Sequence, residues 1–184
     1  MGADMPGPED VIAFWFDELT ANDWFRGGTD LDERIAGRFR DLHLALARSV
    51  TPVWRESPEA RLACIIVLDQ FPRNIYRGTP LAFATDGLAR REARLALEAE
   101  ADGALGKDHR CFLYLPFEHS EEPDDQDRSV ALFSALGDAN YLDYAERHRD
   151  VIRRFGRFPH RNPILGRECT SDELDYLATP GAGF

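Results

Sequence analysis

Two segments of this sequence share an order of residues that suits the binding of an anion. The first is Phe71-Pro72-Arg73-Asn74 and the second is Phe158-Pro159-His160-Arg161-Asn162. Arginine offers a planar fork of N–H donors that matches carboxylate and phosphate groups, and histidine titrates close to neutral pH. Because each segment follows a predicted helix and precedes a threonine suited to cap the next one, we predict that the two loops face one pocket from opposite sides.

Carboxylates that interrupt apolar patterns are the candidates for acid–base chemistry. Asp69 projects from the apolar face of a predicted helix, where a buried charge needs a hydrogen-bonded or charged partner. An ion pair between Asp69 and the nearby Arg73, which would fix the loop after the helix, is the alternative interpretation. Glu118 and His119 directly follow Pro116-Phe117, and side chains at such a helix end or kink can converge on a cleft.

The sequence therefore predicts two groups of site residues. The catalytic candidates are Asp69, Glu118, His119 and His160, and the candidates for ligand binding are Arg73, Asn74, Arg77, Arg157, Arg161 and Asn162. In the simplest mechanism, His119 or His160 moves a proton while Glu118 or Asp69 orients the imidazole. His148 also replaces an apolar residue in a helical stripe. It is either a core residue or a neutral imidazole held for proton transfer.

Motifs that bind metals or cofactors are absent from the sequence. It has no His-Glu-x-x-His helix, no paired cysteines, no glycine-rich dinucleotide fingerprint and no nucleophile elbow. The three cysteines are isolated from one another and odd in number, which indicates free thiols in a reducing compartment. We therefore predict no metal site and a cytoplasmic protein. The cofactor, the reaction and whether the protein is an enzyme at all stay unknown.

Charge and hydropathy exclude several partners. The chain carries a net charge of −11, although residues 147–167 hold seven arginines and one aspartate, which leaves −17 on the rest. A net negative chain disfavours nucleic-acid binding, including RNA binding through this basic segment. The longest apolar runs, Leu62 to Leu68 and Cys111 to Phe117, have seven residues. A membrane-spanning helix needs about 20, so we predict no membrane partner.

Apolar spacing at three and four residues favours helix almost everywhere, and strand alternation bounded by hairpin turns is absent. We predict an all-α protein of about eight helices. The clearest helix signals are the pair Ser57-Pro58, a helix over 139–155 ended by Gly156, and a capping box of Thr170 and Glu173. With 184 residues and no long linker, the chain reads as one domain over 1–184, with loose termini at 1–8 and 179–184.

Four blocks of the chain resemble a known bacterial family. They are Phe14-Trp15-Phe16, Leu68-Asp69-Gln70-Phe71-Pro72-Arg73-Asn74, Tyr114-Leu115-Pro116-Phe117-Glu118-His119-Ser120 and Arg154-Phe155-Gly156-Arg157-Phe158-Pro159-His160-Arg161-Asn162. In this order they resemble the family catalogued as domain of unknown function 924, over about residues 11–177. The resemblance implies antiparallel helix pairs packed in a tetratricopeptide-like superhelix. It implies no activity, since none is established for the family.

Two functions of different classes fit these features. The first is a polar, arginine-rich pocket that binds a small anionic molecule, with acid–base catalysis at the candidate residues. The second is a helical scaffold that holds a partner protein and has no catalytic activity. In the scaffold, the aspartates and arginines named above form structural ion pairs. The first hypothesis is favoured because Phe158-Pro159-His160-Arg161-Asn162 places more polar donors in one loop than packing requires.

Overall fold

The computed structural model describes residues 5–184, and every regular element in that range is helical. The α-helices are α1 (Pro8–Ile12), α2 (Ala21–Arg26), α3 (Thr29–Arg48), α4 (Pro58–Asp69), α5 (Phe71–Ile75), α6 (Asp86–Glu98), α7 (Lys107–Glu118), α8 (Pro123–Leu136), α9 (Ala139–Phe155), α10 (Asn162–Leu165) and α11 (Ser171–Leu177). A π-helical segment spans Ala13–Glu18. Short 3-10 turns occupy Pro52–Arg55, Pro80–Phe83, Ala101–Ala104 and Pro159–Arg161.

The chain forms two compact units. Unit 1 contains the described residues up to Arg77 together with Leu81–Pro116, and unit 2 contains Gly78–Pro80 together with Phe117–Phe184. Helix α7 supplies residues to both units, because unit 1 ends at Pro116 and the last two residues of the helix, Phe117 and Glu118, belong to unit 2. Because proline removes one backbone hydrogen bond, the sequence indicates a helix end or kink here, whereas α7 continues for two residues beyond Pro116.

Helix α4 is the central element of unit 1. The Ser57 side chain accepts a hydrogen bond from the amide of Ala60, and Pro58 occupies the first turn, as the sequence predicted. Residues 62–69 are all buried. The helix can be apolar on all sides because α1, α3, α5 and α6 pack around it.

Unit 2 is built on a hairpin of α8 and α9. Gly137 takes the left-handed conformation that ends α8, and the Asp138 side chain caps α9 by accepting hydrogen bonds from two of its first amides. Its small core contains Val151, Ile152 and Phe158. Helix α11 begins with the predicted capping box of Thr170 and Glu173.

The all-α prediction is confirmed, but the predicted number of helices is too low. Eleven α-helices lie in the described part of the chain. The two segments predicted as loops contain the starts of two helices, since α5 begins at Phe71 and α10 at Asn162. Helix α1 ends at Ile12, and the chain continues from it as a π-helix.

Other predictions about architecture stay predictions, namely the tetratricopeptide-like superhelix and the single domain. Of the expected loose termini, residues 1–4 lie outside the described residues. Pro8 already begins α1, and Phe184 makes contacts in unit 2 that are given below. Within residues 5–184, no helix combines the length and the apolar composition that a bilayer span requires.

Candidate functional site

The predicted site residues of unit 1 contact carboxylates of the same unit. Asp69 is fully buried at the end of α4, and its Oδ2 accepts a hydrogen bond of 2.6 Å from Gln70. The Arg73 guanidinium lies 3.5 Å from Asp69 Oδ1 and donates to both carboxylate oxygens of Asp86, at 2.9 and 3.1 Å. Arg73 also donates to the main-chain carbonyl of Asp69. This geometry matches the structural alternative, in which the pair fixes the start of α5.

Asn74 and Arg77 share one acceptor in α3. The Asn74 amide donates to Asp32 Oδ1 at 2.8 Å, and Arg77 donates to both oxygens of Asp32 at 2.6 and 2.8 Å. Partial burial by itself would raise the pKa of Asp32, but the hydrogen bonds from Arg77 and Asn74 outweigh it and lower the pKa. The two donors therefore tie α5 to α3 through a protein carboxylate.

Two of the predicted ligand-binding residues in unit 2 also bind a protein carboxylate. Arg157 donates to both oxygens of Glu173, at 2.7 and 2.9 Å, and the Asn162 amide lies 3.3 Å from the same carboxylate. The hydrogen bond from Arg157 is the main reason that the pKa of Glu173 falls to about 2. Arg167 forms a comparable fork with Glu121, at 2.8 and 2.9 Å. These pairs hold the loop between α9 and α11.

A pocket of about 410 Å³ lies beside the ion pair of Arg157 and Glu173. It is lined by Arg154, Phe155, Arg157, Thr170, Asp172 and Glu173. Two arginines face two carboxylates there, so the lining has no excess of positive charge with which to select an anion.

A different set of side chains comes from the end of α7, the middle of α9 and the 3-10 turn Pro159–Arg161. We call Glu118, His119, His148, His160 and Arg161 the imidazole cluster. It contains three of the five histidines of the chain, and all of its members belong to unit 2. The ring centroids of His148 and His160 each lie 5.6 Å from that of Phe158, and the Arg161 guanidinium contacts the same ring and the main-chain oxygen of His119.

His148 is held by two acceptors on the same nitrogen. Its Nδ1 lies 2.8 Å from the main-chain oxygen of Tyr144 and 3.3 Å from Glu118 Oε1. Since both neighbours accept hydrogen bonds, Nδ1 carries the proton in the neutral ring, and Nε2 is left as the basic nitrogen. Glu118 thus contacts the imidazole of His148, and the predicted orientation of His119 or His160 by this carboxylate stays a prediction.

Two rings of the cluster, those of His148 and His160, are uncharged. Burial is the main reason that the pKa of His148 falls to about 3 and that of His160 to about 4, and the positive charge of Arg161 contributes to both shifts. At pH 7 both rings are therefore neutral and able to accept a proton. The arginine is the permanent charge beside them.

Arg161 and His160 both contact the ring of Phe158. The Arg161 guanidinium lies 4.7 Å from the Phe158 ring centroid and donates to the main-chain oxygen of His119 at 2.9 Å. The His160 ring centroid is 5.6 Å from that of Phe158. Among the described residues, the buried Nδ1 of His160 has no hydrogen-bond partner. Such atoms are rare in folded proteins and call for an explanation.

The structure thus separates the predicted site residues into two groups. Asp69, Arg73, Asn74 and Arg77 belong to unit 1, whereas Glu118, His119, Arg157, His160, Arg161 and Asn162 belong to unit 2. That the two loops face one pocket stays a prediction. His148 was singled out only as a residue that breaks an apolar stripe, and this break was the signal that marked it. Within residues 5–184, no group of three or more histidine, cysteine or acidic side chains is arranged to hold a metal ion.

Comparisons with known proteins test whether the chain belongs to the family that its four motif blocks resemble. The family described as "Bacterial protein of unknown function (DUF924)" matches residues 11–181. The solved structure of a protein of unknown function from Agrobacterium tumefaciens is similar, with a TM-score of 0.89 and 44% sequence identity over 93% of this chain and 96% of that chain. Among curated proteins, none matches. The resemblance is confirmed, and the chain belongs to the DUF924 family.

Proposed function

We propose that the imidazole cluster of unit 2 binds a small anionic molecule and exchanges a proton with it. The observation that carries this proposal is the buried Nδ1 of His160, which has no hydrogen-bond partner among the described residues although it lies next to Arg161 in the chain. Leaving such an atom unpaired costs about 1–3 kcal/mol. In the tautomer of the neutral ring that carries its proton on Nδ1, an anion oxygen that accepts a hydrogen bond from this nitrogen would remove that cost.

The guanidinium of Arg161 supports an anionic ligand, although the Glu118 carboxylate balances its charge within the cluster. Two neutral imidazoles lie beside the guanidinium of Arg161, and burial strengthens any interaction between this cation and a bound carboxylate or phosphate. The arrangement of His148 supports proton transfer, because Glu118 and the Tyr144 carbonyl hold its Nδ1 and leave Nε2 as the base. In this proposal Arg161 holds the anion and an imidazole moves the proton.

The test is a titration of the full chain with inorganic phosphate and with acetate, observed through the imidazole C–H resonances in NMR spectra. We expect saturable shifts of His148 and His160, because both rings line the site. In Arg161→Gln we expect the affinity to fall at least about tenfold, since a hydrogen bond to a charged group contributes about 1.5–3 kcal/mol.

The matched control is Arg153→Gln. Arg153 lies in α9 and pairs with Asp127 at 2.9 Å, with more than half of its side chain exposed. This variant removes the same charge from the same unit but should bind both probes as the wild type does. If both variants weaken binding equally, the effect is one of net charge alone and the proposed site is wrong.

A further inference from the structure

The ring of Phe184 covers the imidazole cluster. It stacks on the His148 imidazole with centroids 3.6 Å apart and planes inclined by 18°. The rings of Phe158 and His160 lie nearly perpendicular to it, with centroids at 6.4 and 6.2 Å, and the Arg147 guanidinium lies 5.5 Å from the Phe184 centroid. We call the space that the Phe184 ring fills the ring slot. Three aromatic rings and one cation border it, which are the partners that a flat π-system prefers.

The segment that delivers this ring is weakly anchored. Residues 179–184 form only turns, which include one hydrogen bond from the Ala182 amide to the Thr179 oxygen. Among the described residues, an exposed hydrogen bond from Arg147 to the main-chain oxygen of Gly181, at 3.2 Å, connects the segment to α9. Phe184 itself keeps 43% of its surface exposed. Segments with so few buried contacts open at low free-energy cost.

Close approach of the segment depends on one glycine. Gly183 has a φ of +90°, and a Cβ at this position would lie 3.0 Å from the His160 Cβ. A larger residue is therefore strained twice, by its backbone conformation and by contact with the cluster. The backbone of the segment lies directly against His160.

We propose that Phe184 fills the place of the ligand, so that the site takes an aromatic anion whose ring replaces the Phe184 ring on His148. This inference rests on the proposed function, because it assigns the ligand class of the same site. When the segment leaves, Arg147 loses the Gly181 oxygen as an acceptor and adds a second guanidinium to the site that contains Arg161. Residues 179–184 are then a strap that covers the ring slot and opens for an aromatic carboxylate.

The experiment compares benzoate with acetate as probes of the full chain, in the wild type and in Phe184→Ala. Both probes carry one carboxylate, but only benzoate carries a ring. A ligand whose place is filled by a side chain binds only the molecules in which the strap is open. Its apparent affinity is therefore the intrinsic affinity multiplied by the open fraction. We therefore expect benzoate to bind about tenfold more tightly to Phe184→Ala and acetate to change less than about twofold. The control is Phe25→Ala, which removes an exposed phenylalanine from unit 1.

A second pair of variants moves the strap and keeps its ring. Gly183→Ala should favour the open strap and tighten benzoate binding in the same direction. Gly137→Ala is its match, because Gly137 has a φ of +76° but no atom lies within 4 Å of the place that an added Cβ would take. It introduces the same kind of backbone strain away from the cluster and should leave benzoate binding unchanged.

The outcomes separate the two proposals. If acetate and phosphate bind but benzoate gains nothing in Phe184→Ala or Gly183→Ala, the strap and the aromatic ligand are overturned and the anion site remains. If no probe binds to any variant, the proposed function fails and the inference fails with it. A gain for benzoate that Phe25→Ala reproduces would also overturn the inference.

Discussion

Arg73 and Arg161, the arginines of the two Phe-Pro segments, have different contacts, although other arginines of unit 2, Arg157 and Arg167, also form forks with carboxylates. In unit 1, Arg73 and Arg77 each form a two-pronged hydrogen bond with an aspartate that lies far from them in sequence. In unit 2, the Arg161 guanidinium stacks on a phenylalanine and donates to a main-chain oxygen, beside rings that burial keeps neutral. The same Phe-Pro-Arg-Asn pattern thus fixes helices in unit 1 and contributes to a candidate site in unit 2.

This difference shows why a motif alone does not assign a role. An arginine fork binds a protein carboxylate as readily as a ligand carboxylate. Both segments have acids beside them, namely Asp86 and Asp32 beside the first and Glu173 beside Asn162 of the second. What distinguishes the second segment is a histidine whose buried Nδ1 has no hydrogen-bond partner among residues 5–184.

The largest expected effect tests the structural role of unit 1. Asp69→Ala should lower the free energy of unfolding by about 3 kcal/mol, because it removes one partner from a buried network that contains Arg73 and Gln70. Urea denaturation measures this change. The control is Asp127→Ala, an exposed acid whose loss should cost less than about 1 kcal/mol. Equal losses in the two variants would contradict the structural role of Asp69.

An intermediate effect tests the neutral rings of unit 2. The pKa of His148 is about 3 in the folded protein, and an unfolded histidine titrates near 6.5, so the unfolded chain binds more protons between these values. The stabilisation is complete above pH 6.5 and is lost as the pH falls, by up to about 1.4 kcal/mol per pH unit for this residue.

Free energies of unfolding measured between pH 7 and pH 4 check this expectation. His148→Gln should show a shallower loss than the wild type, because it removes one group that must be protonated on unfolding. A slope that does not change in the variant would mean that His148 is not held neutral by its surroundings. The claim that burial keeps the imidazole rings of unit 2 neutral would then be wrong.

The smallest effect concerns the exposed ion pair of unit 1. Arg77→Gln should lower the free energy of unfolding by less than about 1 kcal/mol, because 56% of the Arg77 side chain is exposed and water screens its pair with Asp32. Added salt should reduce the difference between the variant and the wild type. A loss as large as that of Asp69→Ala would show that solvent exposure does not determine how much each ion pair of unit 1 stabilises the fold.

Local signals in the sequence were sufficient for much of the fold. Ser57-Pro58, the capping box of Thr170 and Glu173, and Gly156 after α9 all act within one turn of a helix, so neighbouring residues are enough to predict them. The sequence did not predict α2 or α10. Tertiary packing overrides the weak local preferences of such short helices.

For the candidate site, the sequence determined which groups are available, and the tertiary structure decided their partners. Glu118 and His160 were recognised from their chemistry, but the distance between Glu118 and His148 depends on how the end of α7 is placed against the middle of α9. Nothing near Phe184 in the sequence indicated that its ring stacks on an imidazole 36 positions away. Hydrogen bonds, stacking and burial act over a few ångströms in space, and only the folded chain brings such distant residues within that range.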